Sequence, residues 1–319
     1  MTDNAARLPP SGLAPNAAGE GQPSREGILL LASLTLFWGL NWPAMKLAVM
    51  GIDPWTFRSV CLVVGAAGLL LLARLGGADR LAIPRADFKP LLLVSFLNVT
   101  VWQLGTAFGL TLMEAGRASI IAFTMPVWAS LFGALVLGER LTRVRLAGLG
   151  LGVAGLGVLL VPELGRIGAS PWGAVLMLFA AVSWGAGTVA FKARRWGLGT
   201  AALSGWQLVL GGAPVLVGCA LAGRPETLLT APWQSLAAAL YVVLIPMIYC
   251  SWAWLRVVGL FPASLAALGT LAIPVVGVTS SALLTGEGIG LSEVASLVLV
   301  MAALALVLVV PAPSRPVSR

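Results

Sequence analysis

Trp38, Asn41, Trp42 and Met45 stand at i, i+3, i+4 and i+7 within an apolar run over 28–49, so on a helix they share one face. Indole and amide groups turned toward lipid would lack hydrogen-bond partners, which places this face against protein or a water-filled cavity. Flat aromatic surface beside an amide is binding chemistry, suited to an aromatic ring that carries a polar group. Asn98 and Trp102 repeat the pairing at i, i+4, with Gln103 beside them. Trp184, Thr188, Tyr249 and Trp252 complete the candidate lining, chosen by polarity and depth in their runs. Lys46 and Lys192 are candidate charges at the two mouths of a pathway, although a Lys so near a helix end can also snorkel to the interface.

No comparable set assembles for catalysis. The chain has no His, and Cys61, Cys219 and Cys250 lie apart within apolar runs, as small packing residues do. Ser and Lys occur without a base to activate them. The twelve Asp and Glu fall in the N-terminal tail, in loops or at helix ends, so no mid-membrane carboxylate is available to carry a proton. Glu139 and Glu287 are expected to fix the turns after Gly138 and Gly286, and Arg58 can partner Asp53. No metal, cofactor, nucleic acid or obligate protein partner is implied; the expected partners are a small-molecule solute and membrane lipid. The match of Gly150–Gly155 to GxGxxG follows no strand, and close helix packing through Gly148 and Gly152 explains it better.

The elements that must position these residues are membrane helices. Of 319 residues, 59% are hydrophobic and only 10% charged, against about 25% charged in soluble domains. Mean hydropathy is +0.96. Ten apolar runs are expected as helices, at about 28–49, 56–75, 90–113, 117–137, 144–162, 172–193, 201–222, 233–256, 262–285 and 291–311. Their short connections predict that consecutive helices pack side by side. Residues 1–26, rich in Pro, Gly, Ala and Asn, read as a disordered tail, and 312–319 as a second tail. Trp55, Trp172, Trp196 and Trp233 sit at helix ends, where an interfacial belt accounts for them. Trp206 and Trp254 fit either a belt or a lining. Pro43, Pro126, Pro246 and Pro274 supply bending points near the candidate site.

Two phrases occur twice. Trp38-Gly39 with Lys46 returns as Trp184-Gly185 with Lys192, at an offset of 146 residues. Met125-Pro126-Val127 with Gly138-Glu139 returns as Ile273-Pro274-Val275 with Gly286-Glu287, at an offset of 148. Two agreeing offsets point to a duplication into units 27–162 and 171–311. Five helices per unit is an odd number, so the second unit is expected upside down relative to the first, with a binding site between them. With the N-terminus inside, fifteen of the twenty Lys and Arg map to inner segments, a strong positive-inside bias that places both termini in the cytoplasm.

This ordered set, over about 27–311, resembles the EamA-type branch of the drug/metabolite transporter superfamily. Its Trp-rich first helix and compact basic loops are most similar to the YddG-type exporters of aromatic amino acids. The resemblance implies an all-α integral membrane protein, ten transmembrane helices as two inverted five-helix repeats around a central cavity, in the bacterial inner (plasma) membrane. It implies export of a small metabolite, an aromatic or other amino acid, by alternating access and not enzymatic turnover. The alternative on the same fold is export of drug-like or other hydrophobic solutes.

The charge bias makes a topological prediction. In a Cys-free background, Arg80→Cys and Arg224→Cys should be labelled by an impermeant thiol reagent from opposite sides of the membrane. Labelling of both from one side would overturn the inverted arrangement.

Overall fold

The computed structural model describes residues 25–77, 81–138, 143–164, 171–260 and 272–309. The expected tails, residues 139–142 with Glu139, and the first part of the ninth run lie outside the described residues, except that Arg25 and Glu26 already belong to the first helix. Every regular element described is helical, because a chain in hydrocarbon must satisfy its backbone groups within each segment. In order these are α1 (Arg25–Gly51), α2 (Pro54–Leu75), α3 (Arg85–Ser95), α4 (Trp102–Leu112), α5 (Ala115–Ala122), α6 (Met125–Leu137) and α7 (Arg143–Leu164). There follow α8 (Trp172–Lys192), α9 (Thr200–Ala222), the single turn α10 (Thr227–Thr230), α11 (Trp233–Val242), α12 (Cys250–Leu260), α13 (Ile273–Thr285) and α14 (Leu291–Val309).

Seven described stretches are long and apolar enough to cross a membrane: 25–51, 54–75, 85–112, 115–137, 172–192, 200–222 and 233–254. Three shorter apolar stretches, in α7, α13 and α14, lie at the positions of the fifth, ninth and tenth runs. Local chemistry sets the breaks. Asp53 caps α2 ahead of Pro54, its Oδ2 accepting from the Thr56 amide and hydroxyl at 3.0 Å each. Pro126 and Pro274 occupy first turns, where a missing N–H costs nothing, so they mark helix starts and do not bend continuous helices. Pro43 does lie inside α1. Two helices change winding midway: α3 and α4 are joined by a π-helical segment, Phe96–Val101, and α11 and α12 by another, Val243–Tyr249. The second contains Pro246, which has no amide hydrogen to donate.

Packing departs from the expectation that chain neighbours lie side by side. Although two residues join α1 to α2, α2 packs chiefly on α9, α7 on α14, α1 on α13 and α11, and α8 on α6 and α4. A short connection holds two ends together; the surface relief decides which flanks meet. Gly39 on α1 lies against Val276 of α13, and Gly185 on α8 against Trp128 and Ala129 of α6. A Cβ at Gly185 would come within 2.8 Å of the Ala129 nitrogen, so only glycine allows that approach. Gly152 meets Val127, and Gly155 meets Leu299 and Val300, which supports packing as the reason for that glycine-rich stretch.

Helices α6 and α13 both end in a left-handed glycine, Gly138 at φ 65° and Gly286 at φ 71°. Gly286→Val should therefore lower the melting temperature of the purified protein by a few degrees, since a left-handed L-residue costs roughly 1–2 kcal/mol. Gly288→Ala, next to open space and without a positive φ, should leave it unchanged.

Candidate functional site

Helices from both parts of the chain enclose a cavity of about 730 Å³. From α1 come Trp38, Asn41, Trp42 and Met45, so the face read from helical spacing is presented as one surface. Asn98, Trp102 and Gln103 enter from the first π-helical segment and α4, and Trp184 and Thr188 from α8. Nine of the thirteen candidate residues thus share one cavity. Phe123, Met125 and Pro126 close it at the α5–α6 break, where the helix interruption turns those side chains inward.

The wall is largely aromatic. Trp102 and Trp184 lie 4.7 Å apart at 56°, Trp38 and Trp254 5.9 Å at 45°, and Trp42 and Phe123 6.4 Å edge to face. Trp42 is only 3% exposed, so it offers an edge and serves mostly as packing. Trp254, which the sequence leaves between belt and lining, is part of the wall.

Four candidates lie elsewhere. Lys46 donates from Nζ to the carbonyls of Leu110 and Met113, at 2.7 and 2.9 Å, at the C-terminal end of α4. That position suits a cation at a helix C-terminus and not a free charge at a mouth. Lys192 is exposed in the last turn of α8. The Tyr249 hydroxyl is hydrogen-bonded to Ser33 Oγ at 2.8 Å, and Trp252 is 39% exposed beside it. The π-helical segment explains the last two. Each residue of a regular helix advances about 100°, so an inserted residue turns everything beyond it onto a new face. Ser251 and Trp254 line the cavity in place of Tyr249 and Trp252.

Arg58 was not among the candidates, and its expected partner is otherwise engaged. Asp53 accepts from Thr56 and from the Arg224 amide at 3.2 Å. Arg58 is 2% exposed; its Nε donates to the Gln103 carbonyl at 3.0 Å, and its Nη2 to Thr106 Oγ1 at 2.7 Å. The available signal was an Arg inside an apolar run whose only acidic neighbour is used as a helix cap. Ser204 and Gln207 of α9 also reach the cavity, because α9 seats against α2. Two cavity acceptors, Asn41 Oδ1 and Asn98 Oδ1, are buried without a hydrogen-bond partner among the described residues.

The α4–α5 corner is tied by charge. Glu287, expected to fix its own turn, instead caps α5, accepting from the Ala115 and Gly116 amides at 2.8 and 2.9 Å. Arg117 pairs with Glu293 at 2.6 Å and with Glu114 at 3.4 Å. Glu293 also accepts from the Gly290 amide and the Ser292 hydroxyl. No cluster of metal-ligating side chains occurs among the described residues.

Known proteins are similar to this sequence along most of its length. The model of the EamA-like transporter family matches twice, over residues 25–161 and 171–309. The uncharacterized transporter YvbV of Bacillus subtilis (strain 168) is 31% identical over 288 residues, 89% of this chain and 92% of that protein. A protein of Salmonella typhimurium (strain LT2) named "Probable amino-acid metabolite efflux pump" is 27% identical over 88% of this chain and 94% of its own length. A solved crystal structure superimposes with a TM-score of 0.61 at 21% identity, over 89% of this chain and 96% of that one, which is a likeness of fold.

The corner makes a stability prediction. Arg117 and Glu293 side chains are 15% and 6% exposed, so Arg117→Met leaves a nearly buried carboxylate without its cation and should destabilise the protein by roughly 3 kcal/mol. The Arg256–Glu26 pair is more than half exposed on both sides, and Arg256→Met should cost less than about 1 kcal/mol. Denaturation of the two variants side by side reads the difference.

Proposed function

The chain belongs to the EamA-like transporter family and is a membrane transporter, and from that premise we propose that it exports small aromatic or other amino-acid metabolites by alternating access. The observation that carries the reading is the cavity of about 730 Å³, walled by five tryptophans and open to contribution from both matched segments. Indole surfaces lining one cavity suit a flat ring, and the amides of Asn41, Asn98 and Gln103 suit its polar end. The Salmonella efflux relative supports the same solute class, as does the resemblance to YddG-type exporters.

An inverted pair of five-helix repeats is the architecture behind this mechanism. Several observations support it. The Gly39–Val276 and Gly185–Trp128 contacts exchange equivalent helices between the halves. The two π-helical segments begin 147 residues apart, and the left-handed glycines that end α6 and α13 stand 148 apart, close to the offsets of the repeated phrases. Seven long spans and three shorter apolar helices support a reading of ten crossings; on that reading both termini are cytoplasmic and the chain lies in a bacterial inner membrane. Export of drug-like hydrophobic solutes is the second reading, favoured by a wall that is largely apolar and aromatic.

Counterflow in proteoliposomes, with a panel of amino acids and hydrophobic cations, separates the two. Trp184→Ala should lower flux of an aromatic amino acid roughly two- to tenfold, the value of one aromatic contact of about 0.5–1.5 kcal/mol. Trp128→Ala, whose indole donates to Thr124 at 3.1 Å outside the cavity, should lower it far less. Equal losses in both variants would mean that the tryptophans act by packing.

A further inference from the structure

We infer that Arg58 makes the cavity a carboxylate-reading site: the preferred solute is an aryl carboxylate, held by its anionic head at Arg58 with its ring among the tryptophans, and its amino group is dispensable. This rests on the reading that the cavity binds the transported solute.

The charge inventory is the first support. Among the described residues Arg58 is the one charged side chain lining the cavity, and no Asp or Glu lines it. Among the described residues no carboxylate lies within ion-pair distance of Arg58. The guanidinium stays protonated at any physiological pH. It sits four residues into α2, about 6 Å along the helix. A charge held inside an apolar span is costly to insert, and those that persist face cavities or partners.

Geometry is the second. Bonds to the Gln103 carbonyl and to Thr106 Oγ1 hold the guanidinium from one side. Its Nη2 also reaches Met45 Sδ at 3.1 Å. Asn41 Nδ2 is 3.6 Å from the same sulfur, and Gln103 Nε2 is 3.8 Å from Met247 Sδ. Three polar donors around one cavity are therefore directed at thioether sulfurs, which are weak acceptors. A carboxylate oxygen is a far stronger acceptor for such donors, and a methionine side chain has the rotamer freedom to yield.

An ammonium group finds the opposite reception. The lining offers it neutral acceptors such as Asn41 Oδ1 and the faces of indoles, but among the described residues no carboxylate to pair with, and the nearby guanidinium repels it. An aromatic acid without an amine should therefore bind at least as well as the amino acid. The corresponding aromatic amine should bind poorly.

The test uses the full-length protein in lipid nanodiscs at pH 7, titrated with 3-phenylpropionate, L-phenylalanine and phenethylamine and read by tryptophan fluorescence. Wild type should bind the two carboxylates with at least tenfold preference over phenethylamine, a difference of about 1.4 kcal/mol. Arg58→Gln should reduce affinity for both carboxylates at least tenfold while moving phenethylamine less than twofold; Arg58→Lys should retain part of the preference. A purely structural Arg58, one that only ties α2 to α4, would shift all three ligands together. Phenethylamine binding wild type as tightly as the acids, or a preference that survives in Arg58→Gln, overturns the assignment while leaving the cavity as a solute site. Absence of saturable binding by all three overturns the cavity reading itself, and the assignment with it. If Arg58→Gln does not fold, the wild-type panel alone decides.

Discussion

Gly39 and Gly185 allow two helices to bring their backbones against helices of the other half, and the rest of the arrangement depends on that approach. Adjacent positions on a helix point about 100° apart. With Gly39 turned onto α13 and Gly185 onto α6, the residue before each, Trp38 and Trp184, is directed into the cavity. The Trp-Gly phrase is therefore one device with two parts, a seam and a wall. In lipid there is little hydrophobic drive to pull helices together, so close van der Waals contact at small residues has to do it.

The same exchange puts polar chemistry where water is scarce. Glu287, which follows the glycine that ends α13, satisfies two amides at the start of α5, so one carboxylate joins a loop to a helix dipole. Lys46 does the converse at the end of α4, where carbonyls lack partners. Both groups are consumed by helix ends. Among the described residues Arg58 is then the charge that the cavity keeps, and it gives that lining a positive sign.

Much of the fold was legible because its signals are local. Run length, the helical spacing of Trp38, Asn41, Trp42 and Met45, and the two repeated phrases all survive as helices, a common face and matched contacts. What escaped depends on registers and partners that one segment does not encode. The π-helical segment at Val243–Tyr249 turns α12, so Tyr249 and Trp252 leave the lining and Ser251 and Trp254 enter it. Arg58 looked like a partner for Asp53 because the two are close in sequence, yet the cap on Thr56 claims Asp53 first. Side-by-side packing of consecutive helices failed for a related reason: the matching grooves lie on helices distant in the chain, such as α2 and α9.

That distance has a consequence for biogenesis. Val276, against which Gly39 seats, is synthesised more than two hundred residues after it. At roughly 5–20 residues per second, the first half waits on the order of ten to fifty seconds at the ribosome for the surface that completes it. During that interval lipid must occupy the seam around Gly39, and the face of α6 that receives Gly185 is uncovered for a shorter time, since Gly185 follows Trp128 by fewer than sixty residues. Acyl chains thus act as a temporary chaperone for this protein, holding apolar grooves open until the second half displaces them.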